Sequence, residues 1–532
     1  AAQLGNTVAL IERDPTPGGT CLNRGCIPTK ALLDATATFD AIKHTSAIGI
    51  HAHTDPIDFP ALHQWREHIV STMTTGLSSL LARRGVTIFR ATAALGEPHD
   101  PTGMQQRAIR LTPSPGQNDV LRINTQDSTP QGASLTINAA NVVLAMGSRP
   151  RPLPGIPFHN AIIDSTQALQ RDFPTSATII GAGAVAVEFA SIWNSAGCNV
   201  TLIIRKNCVL SAWDRRASTT LTRELAKRGI TIITNATVTR IDSPSPREAT
   251  VHYRTKGSDE DQSLQTQVVL GAIGRDPNTS EGWIDASGIA LDAQGHVVTD
   301  EFGRTSANGV WAVGDITAGH ALAHRAFAQG ITVAERIAGL NPKPVDEYTI
   351  PQVVFSRPQA ACVGYTGAQA KASGRFLDIT ETAYPMMGNA RMLMSGSAGA
   401  MTVVSGEDTD NPGTRVLLGV HMAGPEATEL IAEAEQLVGN HVPLNEAARL
   451  IHPHPTFSEA FGEASSKRTD ARCTQDESPP DPTPDARLQC LNARRALVCG
   501  ADNANAAFTA SFSIFLNTGK LLASMPTATS SK

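Results

Sequence analysis

Cys21 and Cys26 lie five positions apart in Gly18-Gly19-Thr20-Cys21-Leu22-Asn23-Arg24-Gly25-Cys26-Ile27-Pro28-Thr29-Lys30, and two thiols placed this way can open and close a disulfide. Pro28 is tolerated only in the first turns of a helix, so the segment is expected to begin one. An ideal helix rises about 1.5 Å per residue, which would hold the two Cα atoms more than about 7.5 Å apart. That exceeds the roughly 7 Å limit for a disulfide, so a bridge here requires a local break in the backbone. Gly25 makes such a break cheap. On spacing alone, a buried pair of free thiols or half of a metal site stays open. A second candidate is His452-Pro453-His454-Pro455-Thr456-Phe457-Ser458-Glu459. Imidazole moves protons near neutral pH, although a His-Pro repeat by itself is usually an exposed turn.

Two stretches read as the dinucleotide-binding units that would position such groups. The strand Ala177 to Ile180 runs into Gly181-Ala182-Gly183-Ala184-Val185-Ala186, a helix closed by Gly197, and a strand from Asn199 to Ile204. A Gly-x-Gly-x-x-Ala turn between strand and helix lets the backbone approach a pyrophosphate, with helix N–H donors behind it. The next two residues are Arg205 and Lys206, where an NAD site usually places an acid, so a 2′-phosphate and NADP are favoured over NAD. A solvated basic turn is the alternative. The other unit opens the chain. Ala1 to Gly5 reads as a glycine-capped helix end, and Asn6 to Ile11 as a strand. Glu12 follows where a ribose-binding carboxylate belongs. That is the second half of a Rossmann unit, so a strand and glycine loop of about 20–30 residues are expected before Ala1, by the size of half a βαβ unit.

Between and beyond these units, a helix is expected from Gln64 to Arg84 and a strand from Val86 to Ala91. The Pro-, Gly- and Asp-rich residues 97–135 read as hairpin loops. Asn141 to Ala145 suits a buried parallel strand. Val310 to Asp315 reads as a strand ending in an acid, and from Tyr348 the pattern shifts to mixed strands and helices.

Gly-Gly-Thr-Cys-Leu-Asn-x-Gly-Cys-Ile-Pro-Thr-Lys resembles the redox segment of the flavin-dependent disulfide reductases, a family that includes dihydrolipoamide, glutathione, mycothione and mercuric enzymes. The resemblance covers about residues 1–468. It implies an α/β fold with two Rossmann-like domains, for FAD and NAD(P), and a C-terminal α+β dimerisation domain. The implied limits are 1–150 for the FAD domain, 151–275 for the NAD(P) domain and 276–346 for the return into the FAD domain. The dimerisation domain would span 347–468, leaving 469–532 an unassigned, disordered tail.

By the same resemblance, Cys21 would exchange with substrate while Cys26 faces the flavin, and Lys30 would pair with Glu188. FAD would lie against Glu12, Lys30, Ala93, Gly147, Asp315 and the run Ala321, Leu322, Ala323, His324. Met146 replaces the usual threonine there. The nicotinamide cofactor would lie against Gly181, Gly183, Ala186, Glu188, Arg205, Lys206 and Gly274. His454 would be the acid–base group, oriented by Glu459 and supplied across a homodimer interface. The redox segment, the Leu-Ala-His run and the double-His turn look most like dihydrolipoamide dehydrogenases, which implies a lipoyl-bearing substrate and a possible 2-oxo acid dehydrogenase complex. An NADPH-dependent reductase of a low-molecular-weight disulfide is the alternative, and a defective flavoprotein with a binding role is the third.

Composition narrows the classes further. A 532-residue chain that is 41% hydrophobic supports several cored domains. A net charge of −5 gives no general attraction to nucleic acid or an anionic membrane. Eight cysteines are too few for a secreted disulfide scaffold, and there is no metal pattern. No run of 18 apolar residues and no signal peptide are visible, so a cytoplasmic location is expected.

Overall fold

A strand at Ala9–Glu12 enters the first domain and pairs in parallel with Thr87–Arg90. A short turn at Ala2–Leu4 precedes it, closed by Gly5 at φ +85°. The strand begins later than Asn6 because the ladder starts only where Ala9 meets Thr87. In this computed structural model, residues 1–99, 106–123, 127–258 and 260–469 are described. The tail from 470 lies outside them, together with the expectation of disorder there. Residues 1–465 form one compact unit.

Two helices follow the first strand, Gly19–Arg24 and Cys26–His44, and the long helix Phe59–Arg83 packs beside them. The long helix starts five residues before Gln64. Asp58 caps it by accepting from the Ala61 N–H at 3.1 Å, and Pro60 fits its first turn. Residues 97–135 are not loops throughout. Thr92–His99, Gln106–Thr112 and Leu135–Ala139 form an antiparallel sheet, in which alternation places Ile109 and Leu111 inside. Polar composition hid this alternation from the sequence pattern. Val142–Leu144 pairs in parallel with Val310–Ala312. That strand stops at Ala312, so Asp315 sits in a separate turn, Gly314–Ile316.

The second domain holds a five-stranded parallel sheet. Its strand order is Ile162–Ile163, Val268–Gly271, Ser176–Ile180, Asn199–Ile203 and Thr231–Ile233. Strands buried on both faces need continuous apolar runs, and Ile179, Leu202 and Leu270 are fully buried here. The helix Ala184–Ser195 contributes Phe189, Ile192 and Trp193 to the same core. The chain returns through Arg275–Pro277, antiparallel to Ser148–Pro150. The last domain is a five-stranded antiparallel sheet whose central strand, Arg415–Gly424, is buried at every residue. The helix Ala427–Gly439 covers it with Ile431, Ala434 and Leu437. The fold is α/β with two dinucleotide-type units and a C-terminal α+β domain.

Candidate redox site and dinucleotide sites

Gly25 interrupts the two leading helices at φ −143°, ψ −108°. A Cβ there would lie 2.8 Å from the Thr20 carbonyl oxygen, so a side chain cannot be accommodated without moving backbone. The break places Cys21 and Cys26 within hydrogen-bonding reach as unbonded thiols. Cys26 opens the second helix, where the N-terminal dipole favours a thiolate. The bond from Cys21 lowers the Cys26 thiol to about 7 against the cost of burial, with help from the Lys30 charge. The same bond and burial raise Cys21. Cys26, at the helix start and nearer the Lys30 charge in effect, is therefore the more acidic sulfur of the pair.

Lys30 lies one turn along the helix, and its Nζ donates to both carboxylate oxygens of Glu188, at 3.0 and 2.9 Å. Glu188 is buried, and its Oε1 also accepts from the Phe355 N–H at 3.0 Å. The ammonium stands 4.7 Å from the centre of the Phe355 ring. Three distant segments of the chain thus meet at one carboxylate. Phe355 carries no sequence signal for this role, since only the fold brings it to Glu188.

The expected flavin residues separate into groups. Ser148 Oγ donates to Asp315 at 2.5 Å, and Arg275 donates to Ser148 Oγ and its carbonyl, each at 2.6 Å. Asn278 donates to the carbonyls of Met146, at 2.8 Å, and Gly147, at 3.0 Å. Met146 is thus bonded through its backbone carbonyl, while its side chain packs against the core. Glu12 accepts from the Asp14 N–H at 2.9 Å, and burial raises its pKa despite that bond. His324 bonds the Pro351 carbonyl at 2.7 Å, beside Ala321, Leu322 and Ala323 at the start of the helix Ala323–Ile337. Ala93 sits in a sheet opposite Leu111 and joins none of these bonds. Sequence reasoning missed Arg275, Ser148 and Asn278. A cavity of about 240 Å³ is lined by Arg13, Arg24, Arg149 and Arg275 with Thr20 and Asn278. The guanidinium groups there suit an anionic phosphate, with Arg24 already paired to Asp14 and Glu281 also in the lining.

The nicotinamide turn also fits its ligand. Gly181 adopts φ +139°, and a Cβ there would collide with the Ala272 carbonyl. A Cβ on Gly183, at the start of the helix Ala184–Ser195, would meet nothing within 4 Å. That open space is where a phosphate can approach the helix N–H groups. Ala186 is fully buried, whereas Arg205 and Lys206 are exposed just past the strand Asn199–Ile203. Gly274, at φ +134°, lies near the Arg151 guanidinium.

At the other end of the chain, His454 Nδ1 bonds Glu459 at 2.6 Å. Glu459 opens the helix Glu459–Thr469, and its other oxygen accepts from the Thr456 N–H at 2.9 Å. Burial pushes the carboxyl up, but that N–H and His454 together outweigh it and hold the group below its ordinary range. The His454 side chain is 79% exposed. Among the described residues, no hydrogen bond or ion pair joins it to Cys21 or Cys26.

Residues 1–330 match the pyridine nucleotide-disulphide oxidoreductase family, and residues 350–465 match its dimerisation domain. Dihydrolipoyl dehydrogenase of Geobacillus stearothermophilus is 32% identical over 467 residues, covering 87% of this chain and 92% of that protein. The Chlamydia pneumoniae dihydrolipoyl dehydrogenase is 33% identical over the same shares of both chains. The fold is also that of LpdA from Mycobacterium tuberculosis, with a TM-score of 0.74 at 24% identity over 87% of this chain and 94% of that one. RclA, an HOCl-induced flavoprotein disulfide reductase from Escherichia coli, superposes with a TM-score of 0.70 at 25% identity over 87% and 95%. With the thiol pair at a glycine break, a glycine-turn dinucleotide site and a matched dimerisation domain, this chain belongs to the pyridine nucleotide-disulphide oxidoreductases and is an oxidoreductase.

Proposed function

We propose that the protein is a dihydrolipoamide dehydrogenase-type enzyme that passes two electrons between a lipoyl-like dithiol and NAD(P). The observation that carries this reading is the Gly25 break, which pairs a thiolate at Cys26 with a thiol at Cys21. When the pair is a disulfide, the substrate thiolate attacks the sulfur whose partner leaves more easily. Cys26 is the better leaving group because it opens the helix Cys26–His44 and has the Lys30 charge nearby, both of which favour its thiolate, so Cys21 is the sulfur attacked. A mixed disulfide forms at Cys21 and Cys26 departs as thiolate. The second substrate thiol then displaces Cys21, leaving an oxidised substrate and two reduced cysteines.

The substrate thiols must lose their protons, and His454 suits that task. With Nδ1–H donated to Glu459, the accepting nitrogen is Nε2. His454 would serve the cysteines of a second subunit in a homodimer, since its exposed ring is not bonded to those of its own chain. Bound flavin would supply the two-electron relay from Cys26 to the nicotinamide, held by the Ser148–Asp315–Arg275 group and the arginine cavity. Lys30 and Glu188 would hold a fixed charge beside the thiolate.

Arg205 and Lys206, with no acid at the strand end, support NADP over NAD. They also favour a second reading, an NADPH-dependent reductase of a small disulfide. Arg205→Glu is expected to weaken NADPH far more than NADH; equal losses would remove the phosphate argument. Steady-state turnover of lipoamide and of glutathione disulfide, each with both nicotinamides, separates the two readings. Faster lipoamide turnover supports the first, and faster glutathione disulfide turnover supports the second. Cys21→Ser and Cys26→Ser are each expected to abolish dithiol turnover while sparing flavin reduction by the nicotinamide. Dithiol activity retained in either variant would overturn the mechanism.

A further inference from the structure

The turn that presents His454 is fastened unevenly. Its outgoing limb is held by Glu459, by Thr456 Oγ1 donating to the Pro453 carbonyl at 2.8 Å, and by Asn389 Nδ2 donating to the Thr456 carbonyl at 2.8 Å. The incoming limb begins at Ile451, which is 97% exposed. The next residue, His452, turns inward. Its side chain is only 10% exposed, and Nε2 bonds Glu433 Oε1 at 2.8 Å on the helix Ala427–Gly439. The ring also faces Phe461, centroid to centroid 6.4 Å. It rests on Gly462, where a Cβ would stand 2.7 Å from Nδ1. The two histidines of the repeat are thus both paired with glutamates, one exposed and one enclosed.

We infer that the His452–Glu433 pair is a positioning dyad that fixes the aim of His454 Nε2. The inference rests on His454 being the acid–base group, as proposed above. One residue, Pro453, separates the two rings, so rotation of His452 is transmitted to the backbone that carries His454. Proton transfer is sensitive to such shifts, and misplacing a reacting group by about 1 Å can cost on the order of a hundredfold in rate.

The test measures both half-reactions of the purified holoenzyme in Glu433→Ala, Glu433→Gln, Gly462→Ala and His454→Gln. Glu433→Ala is expected to slow the dithiol half-reaction about ten- to a hundredfold, through kcat rather than KM, with a displaced pH profile. Flavin reduction by the nicotinamide should be unchanged. Gln can still accept from Nε2–H, so Glu433→Gln should recover most of the rate. Gly462→Ala should slow the same half-reaction by pushing on the ring, and it provides a second route if Glu433→Ala does not fold. A normal dithiol rate and pH profile in a folded Glu433→Ala or Gly462→Ala would overturn the inference, as would equal loss in Glu433→Gln and Glu433→Ala. If His454→Gln itself keeps dithiol turnover, the underlying reading fails instead.

Discussion

At the scale of single residues, the two cysteines differ because one hydrogen bond and one cation act on them unequally. Cys21 donates, Cys26 accepts, and Lys30 stands nearer in effect to Cys26, whose acidity also feels Glu188 in the opposite sense. The thiolate of Cys26 therefore forms as pH rises through about 7 and is lost below it. The reduced protein is expected to show an ultraviolet thiolate transition with a midpoint near 7, absent in Cys26→Ser. Lys30→Met should move that midpoint upward by removing a cation that favours the anion. A midpoint indifferent to Lys30 would refute that contribution. The cysteine segment was legible from its letters because Pro28 places a helix start there and Gly25 permits the break before it. The pairing of Glu188 with Phe355 was not, since 167 positions separate the two.

Among the elements, glycines decide where chains come close, and two of them predict opposite outcomes. Gly25→Ala would put a methyl 2.8 Å from the Thr20 carbonyl, and overpacking against backbone costs about 1–3 kcal/mol. It should lower the melting temperature and make the disulfide easier to reduce in a glutathione titration, because the two helices must part. Gly183→Ala meets open space, so stability should be unchanged while KM for the nicotinamide rises. Unchanged KM would mean that no phosphate approaches that turn. The Gly-x-Gly-x-x-Ala unit was readable because its strand and helix are local. The sheet from Thr92 to Ala139 was not, because its alternation is carried partly by Arg107 and Arg110 rather than by apolar residues.

For the whole molecule, one network ties the redox helix to the other domains. Asp40 on that helix pairs with Arg228 at 2.8 Å and Arg357 at 3.5 Å, and Arg357 donates to the Ala37 carbonyl at 2.9 Å. The thiols are therefore held against the nicotinamide unit and the C-terminal segment. In the proposed homodimer, Cys26→Ser and His454→Gln subunits should complement when mixed. A heterodimer of these inactive variants retains one site with both groups intact. Random reassortment should then restore about a quarter of wild-type turnover by subunit counting. No recovery after demonstrated exchange would place both groups in one subunit.

Local chemistry is what the sequence determined unaided. The thiol pair, the glycine turn, the basic residues after Ile204 and the imidazole with its acid all lie within short runs that spacing and backbone sterics single out, and the resemblance to a known family gave the thiols and the imidazole their expected roles. The Lys30–Glu188 pair that the resemblance implied is formed, but tertiary structure alone decided the other meetings across the chain: Phe355 with Glu188, Ser148 with Arg275 and Asp315, His452 with Glu433. Such contacts depend on sheet order and helix packing, which join distant residues and leave no periodic trace in either partner.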